Sequence, residues 1–448
     1  MEVTLQEILD KREQRVIRQK ELLQQFGCPL ISFTMNIAGP VKTSPLIQEG
    51  FALGQQLLEA QLKSAGISVR HREERSTRAG CEMLYAVAGD AEKAKQLCAE
   101  LEDYLPIGRL FDLDVLDTDG NKLSRENYGR GMRTCLICGK PVYQCSRSRA
   151  HSVTQLQEKT RQLLQEALME ETARKLSALA QKALLYEVCV TPKPGLVDRD
   201  NSGSHGDMDI YSFLSSSAAL GAYFHDCAVA GMETREKAPE ETFSRIRFLG
   251  RTAEQTMFRA TGGVNTHKGA VFTMGLLCAA AGRVPKHRRT QPEAVAKECA
   301  AMTRGLVEKD FAGLTEDLAR TAGQKLYLKH GIAGIRAEAE AGFPAVLQFG
   351  LPVLEKGLEA GLSVDTAGSA ALLAIAAESE DTNLIARSSR ERQQQIKREL
   401  KVLLQTQSYP DRKTLEQLDD SFIRERLSPG GSADLLAAAW FLHFLKQS

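Results

Sequence analysis

Glu187-Val-Cys-Val-Thr-Pro-Lys-Pro-Gly-Leu-Val-Asp-Arg-Asp-Asn-Ser-Gly-Ser-His-Gly-Asp-Met-Asp209 interrupts a region that otherwise reads as helix on both sides. Upstream, Gln155–Val188 is one long pattern of Leu, Ala, Glu, Gln and Lys, all good helix formers. Downstream, helices are expected at about 210–231, 242–261, 266–282, 292–308, 311–323, 344–360, 367–377, 390–406 and 432–446, with loops of Gly, Pro or Asp between them. Strand signals nearly vanish after His151, so this half is expected to be an all-α bundle. In the break itself, Pro192 and Pro194 deny the backbone a helix around Lys193. Asp198, Asp200, His205, Asp207 and Asp209 then follow close together. A mere connection needs none of these groups. A magnesium polyphosphate needs most of them, because hard cations take carboxylate oxygens and phosphates take cationic side chains.

Toward the N-terminus the texture changes. Leu30–Ile37, Ile67–His71, Met83–Ala88 and Leu110–Leu116 read as strands. Helices are expected from Pro45 to about Ser64 and from Asp90 to about Tyr104. The chain is therefore expected to be multidomain: an α+β or α/β domain over residues 1–165, then an all-α domain over 166–448, with Leu156–Glu171 as linker. A length of 448 residues is too great for one ordinary core. The net charge of +1 gives no reason to expect nucleic-acid binding. The ten cysteines do not form a secreted disulfide framework, and the longest uncharged stretch, Gly269–Gly282, is too short to cross a bilayer. A cytoplasmic protein with no membrane partner is expected.

Three segments of the first half carry chemistry. In Gly108-Arg-Leu-Phe-Asp-Leu-Asp-Val115, Asp112 and Asp114 stand two apart on a strand, so both carboxylates project from one face. Two such neighbours repel unless a divalent cation bridges them; the ordinary alternative is a pair of exposed acids. Asn36-Ile-Ala-Gly-Pro-Val-Lys-Thr-Ser-Pro45 is a strand-to-helix loop with a lysine and two hydroxyls, suited to phosphate or simply a turn. Cys135-x2-Cys138-x6-Cys145-x5-His151 offers three thiolates and an imidazole, a possible tetrahedral zinc set; structural cysteines are the alternative.

Together, Met35–Gly50, Gly108–Val115 and Cys135–His151 resemble the apo-citrate lyase phosphoribosyl-dephospho-CoA transferase family, over roughly residues 5–165. The resemblance implies an α+β nucleotidyltransferase-like domain that transfers a phosphoribosyl-dephospho-CoA group to a serine of the acyl carrier (gamma) subunit of citrate lyase, with release of pyrophosphate. It makes Asp112 and Asp114 the magnesium carboxylates and Lys42, Arg109 and Arg133 candidates for pyrophosphate contacts.

The second half adds Thr261-Gly-Gly-Val-Asn-Thr-His-Lys-Gly269 before an apolar helix, then His330-Gly-Ile-Ala-Gly-Ile-Arg-Ala-Glu-Ala339, Asp381-Thr-Asn-Leu384 and Ser428-Pro-Gly-Gly-Ser-Ala-Asp434. Helix capping is the ordinary role of such residues, and for Asp434 it weighs evenly with function. From Glu187 to Phe444 the chain resembles the triphosphoribosyl-dephospho-CoA synthase family, carried by Thr-Pro-Lys-Pro-Gly-Leu-Val-Asp-Arg, Gly-Val-Asn-Thr-His-Lys-Gly and Asp-Thr-Asn. That implies a helical enzyme that joins ATP to 3'-dephospho-CoA and releases adenine. Asp207 and Asp209 are the expected base or magnesium ligands, and Glu338 and Asp381 are further catalytic carboxylates. Lys193, His267, Lys268 and Arg336 are expected around the triphosphate. One departure stands out: where the family favours His-Arg-Gly-Gly, this chain has Ala386-Arg-Ser-Ser389. The alternative is thus a transferase whose second domain is degenerate and only docks the carrier.

Overall fold

The computed structural model describes residues 2–448, which divide into two compact units, one ending at Glu171 and one running from Thr172 to Ser448. The protein is multidomain, and each unit has its own core.

The first unit is α+β. Its strands are β1 (Leu30–Met35), β2 (Ser68–Thr77), β3 (Gly80–Ala88) and β4 (Phe111–Leu116), in the order β2-β3-β1-β4 with every neighbour antiparallel. Alternation along the strands gives the sheet two different faces. Ile31, Phe33, Met83, Tyr85, Val87, Leu113 and Val115 share a core with the helices Pro45–Ser64 and Ala91–Tyr104. The opposite face carries Leu30, Leu84 and Ala86, which pack with Leu22 of the helix Leu5–Phe26. Further along that face apolar residues give way to Thr34, Asp112 and Asp114. In the register, Thr34 stands opposite Asp112 and Ser32 opposite Asp114.

Residues 156–171, expected as a helical linker, are the first part of the helix Val153–Cys189, and Leu163 and Leu164 of that part are buried in the first unit's core. In the second unit, Ala173, Leu176, Ala180 and Leu184 of the same helix are core residues.

The second unit is all-helical. At its centre lie the helices Lys268–Arg283, Val364–Glu378 and Gly430–Lys446, buried along most of their lengths. They are rich in Ala, Gly and Leu, and small side chains let neighbours approach closely: a Cβ on Gly231 would lie 2.0 Å from the carbonyl oxygen of Ala279. The expected helix at 311–323 is absent. A 3-10 turn (Glu316–Leu318) and a helix Ala322–His330 take its place, the latter begun by a capping box at Thr321 and Gln324. The expected 210–231 helix is two, Ile210–Ala219 and Gly221–Glu233. A helix at Arg412–Glu425 has no counterpart in the sequence reading. Among the described residues no helix is long and apolar enough to cross a membrane.

Candidate active sites

In the first unit, Asp112 and Asp114 line a cavity of about 480 Å³ between the polar end of the sheet and the helix Leu5–Phe26. Lys42 lines the same cavity, as do Lys11, Arg12, Arg15 and Lys122. The Asp114 carboxylate accepts from Lys122 Nζ at 2.7 Å, and an arginine nitrogen of Arg133 lies 3.7 Å from Asp112. Lys42 donates to the Ile37 carbonyl at 2.5 Å, and burial, then Arg12, lowers its pKa. An acidic pair ringed by cations is suited to a metal-bound polyphosphate, whose charge both sets would share. Lys11 and Arg15 also neutralise Glu82, which is nearly fully buried beneath them. Their role was invisible in sequence because the helix that brings them to the sheet begins far upstream.

Arg109 and Arg133 line a second cavity of about 810 Å³ with Arg125, Arg149 and the cysteine segment; Asn36 lines both cavities, and Arg133 reaches Asp112 from this side. Arg109 donates to the Thr134 carbonyl at 2.6 Å, and Arg133 is bonded to the buried Glu102.

In the second unit the sequence 187–209 folds over the ends of several helices. Lys193 is 1 % exposed and ion-paired with Glu187, the last acid of the long helix. Gly195 has φ +71°, and a Cβ there would sit 2.3 Å from the Leu427 carbonyl oxygen, so the turn requires glycine. The loop's acids divide by task. Asp198 accepts from the backbone of Lys193, Asp200 and Asn201, and Asp200 pairs with Arg412. Both hold the loop together. Asp209 stands apart from the other candidates: its exposed carboxylate caps the helix Ile210–Ala219, accepting from Ser212 N at 2.9 Å, and it does not line the cavity.

That cavity measures about 450 Å³ and gathers Lys193, Asp207, His267, Lys268, Glu338 and Asp381. The first turns of two long helices, Lys268–Arg283 and Gly430–Lys446, open on it with the positive ends of their dipoles; Lys268 N donates to Asn265 Oδ1 at 3.3 Å. Lys268 pairs with Glu254 at 3.0 Å. Asp381 caps Thr382–Arg387 and also accepts from Ser432 N at 2.7 Å, while burial raises its pKa. Glu338 is raised likewise and accepts from Ala345 N at 3.2 Å. His267 donates or accepts through Nδ1 to Ser216 Oγ at 2.7 Å, leaving Nε2 buried without a partner. Burial, with Lys193 nearby, pushes its pKa down to about 3, so the ring is neutral.

Two further groups complete the wall. Asp434 is half-buried in the cavity wall, and burial, then Glu187 and Asp381, raise its pKa. Gly269 makes room for it: a Cβ there would lie 1.9 Å from Asp434 Oδ2. Glu187, also raised by burial, was quoted above only as the start of a motif. The signal missed was an acid six positions before a lysine, across the end of an otherwise apolar helix face.

Arg336 lies outside this cavity. It lines an adjoining one of about 410 Å³ with Arg247, Arg251, Phe243 and Phe272, and it pairs with Asp310 at 2.7 Å. Lys268, Gly269, Ile335 and Thr382 line both cavities. In the altered Ala386–Ser389 stretch, Ser389 is extended (φ −154°, ψ 168°) and caps the next helix, whereas Ser388 ends the helix Thr382–Arg387 at φ −138° and ψ −109°, neither helical nor extended. Arg387 reaches His205 Nδ1 at 3.1 Å on the cavity's edge.

The comparisons agree with this division. Residues 3–167 match the family model for apo-citrate lyase phosphoribosyl-dephospho-CoA transferase (CitX), and residues 173–448 match that for ATP:dephospho-CoA triphosphoribosyl transferase (CitG). A "Protein CitXG" of Haemophilus influenzae is 34% identical over 99% of this chain and 96% of its own length. A "Protein CitXG" of Leuconostoc mesenteroides subsp. cremoris is 33% identical over 98% and 97%. A 2-(5''-triphosphoribosyl)-3'-dephosphocoenzyme-A synthase of Pectobacterium atrosepticum is 41% identical over 58% of this chain and 86% of its own. The chain belongs to the CitXG family, a fusion of a CitX domain followed by a CitG domain, and is a transferase of citrate lyase prosthetic-group biosynthesis.

Proposed function

We propose that the helical unit joins ATP to 3'-dephospho-CoA with release of adenine. The first unit then transfers the resulting phosphoribosyl-dephospho-CoA group to a serine of the apo-acyl carrier (gamma) subunit of citrate lyase, with release of pyrophosphate. The observation that carries the first step is one cavity lined by Asp434, whose pKa burial and neighbouring carboxylates raise, by the exposed carboxylate of Asp207, and by the first turns of two helices, one beginning at Lys268. A hydroxyl of dephospho-CoA attacks the anomeric carbon of the ATP ribose as the bond to adenine breaks, through an oxocarbenium-like state. Asp207 accepts the hydroxyl proton, Asp434 donates a proton to the departing base, and Glu338 or Asp381 offsets the positive charge on the sugar. Lys193 fixes Glu187, His267 shapes the wall as a neutral ring, and Lys268 with the helix ends receives the triphosphate. The adjoining cavity, with Arg336, Arg247 and two phenylalanines, suits the second substrate.

In the first unit, the nucleotidyltransferase-like step breaks the bond between the two phosphates nearest the sugar. A carrier serine oxygen takes the inner phosphorus and pyrophosphate leaves. The oxygen-only pair Asp112 and Asp114, on one strand face, fits Mg²⁺, which when bound would screen the phosphates there. Lys11, Arg12, Lys42 and Lys122 bind the leaving diphosphate.

Incubation with ATP, dephospho-CoA and apo-carrier tests both halves: adenine should appear, then pyrophosphate, with the carrier heavier by the transferred group. Asp207→Asn should abolish adenine release; a helical unit that served only to dock the carrier would be unaffected.

A further inference from the structure

The segment between residues 131 and 152 has almost no hydrophobic interior. Its only two buried residues are Cys135 and Cys145, while Met132, Ile137, Val142 and Tyr143 are exposed. A stretch this poor in buried apolar surface does not hold a fixed shape by packing. Yet it folds into a defined hairpin and helix. Cys135 N donates to the Lys140 carbonyl at 2.6 Å, Gly139 N to the Cys135 carbonyl at 3.1 Å, and Val142 N to the Arg133 carbonyl at 3.0 Å. Gly139 turns the chain at φ +71° directly after Cys138. The helix Val142–Ser148 then brings Cys145 back, and its left-handed cap at Arg149 directs the chain to His151.

These turns converge four ligand atoms. The thiols of Cys135, Cys138 and Cys145 and a ring nitrogen of His151 lie within 4.8 Å of one another. A tetrahedral zinc with sulfur ligands at 2.3 Å needs them about 3.8 Å apart. Cys138 Sγ and Cys145 Sγ are 3.3 Å apart, and Ile137 N points at Cys135 Sγ from 3.5 Å, the kind of amide contact that stabilises a thiolate. His151 Nε2 is buried without a partner. Three sulfurs and one imidazole select a borderline-soft tetrahedral ion over magnesium or calcium.

We propose that Cys135, Cys138, Cys145 and His151 bind one structural Zn²⁺. Binding displaces the three thiol protons, leaving the ion four-coordinate with no open position, and the metal takes no part in either reaction. Its role is to staple the segment that forms one wall of the 810 Å³ cavity and carries Arg133 and Arg149 to it. The arginines and Lys140 beside the ligands in sequence offset the net negative charge of the filled site.

The full chain, purified reduced and without a histidine tag, should contain about one zinc per molecule by plasma mass spectrometry. Cobalt(II) added to the zinc-stripped chain should give thiolate charge-transfer bands and the intense visible bands of a tetrahedral site. Cys138→Ser should lower bound zinc at least about tenfold. Adenine release by the helical unit should be unchanged, which shows that the variant is folded there. Stripping zinc from the unaltered chain should speed tryptic cleavage between Arg130 and Arg149. The proposal is overturned if the reduced chain holds neither zinc nor tetrahedral cobalt, if another metal fills the site, or if the freshly purified chain carries a Cys138–Cys145 disulfide.

Discussion

Acidification should destabilise the helical unit through one histidine, and by a calculable amount. His267 is 2 % exposed, and its pKa is pushed from 6.5 to about 3 by burial. The sign follows from proton counting. Between these values the unfolded chain binds a proton at this site and the folded chain does not, so stability is full above pH 6.5 and is lost as pH falls. At pH 5 the unfolded histidine is almost fully protonated, and the loss relative to pH 7.5 is about 2 kcal/mol. Glu187, Asp381 and Asp434 act in the opposite direction, because burial raises their pKa values and the folded chain binds their protons more readily. The comparison must therefore be with a variant that differs at this site alone. His267→Asn retains a polar atom near Ser216 Oγ but does not titrate. The chain's single tryptophan, Trp440, lies buried in the core of this unit, so its fluorescence during urea unfolding reports the helical unit selectively. Unfolding free energies at pH 7.5 and 5 should fall about 2 kcal/mol further in the unaltered chain than in the variant. Equal falls would show that His267 protonates freely in the folded state, and the closed, neutral wall would be wrong.

Other consequences separate the two halves. Asp434→Asn keeps the shape of a protonated acid, so unfolding should change little while adenine release drops about 10²–10⁴-fold; normal release would remove Asp434 from the reaction. Asp112→Asn should block labelling of the carrier from preformed triphosphoribosyl-dephospho-CoA and leave adenine release intact, as assayed by chromatography and carrier mass. Gly269→Ala forces a methyl into the space of Asp434 Oδ2; it should cost about 1–3 kcal/mol by Trp440 fluorescence and reduce adenine release, without slowing transfer in the first unit.

The strand–helix order of the first unit was legible because each element has clear local signals: Ser44 and Pro45 start one helix, Asp90 caps another, and alternation exposes Asp112 and Asp114 on one face. In the second unit, the break at Glu187–Asp209 and the long apolar helices were equally plain. Capping competed with catalysis for the acids, and sequence alone could not divide them. Asp209 and Asp207 are two residues apart and of identical chemistry, yet one caps a helix and the other faces the cavity.

The amino-acid order by itself determined the two units, their helical or mixed character and the motifs that place the chain in its family, because these depend on local spacing and composition. Only the tertiary structure decided that Arg336 serves a neighbouring cavity, that Lys11 and Arg12 join Asp112, and that Asp434 lines one cavity with Glu187 and Asp381. Each of these placements arises when segments distant in sequence are packed together, and at Asp434 the resulting burial raises the pKa.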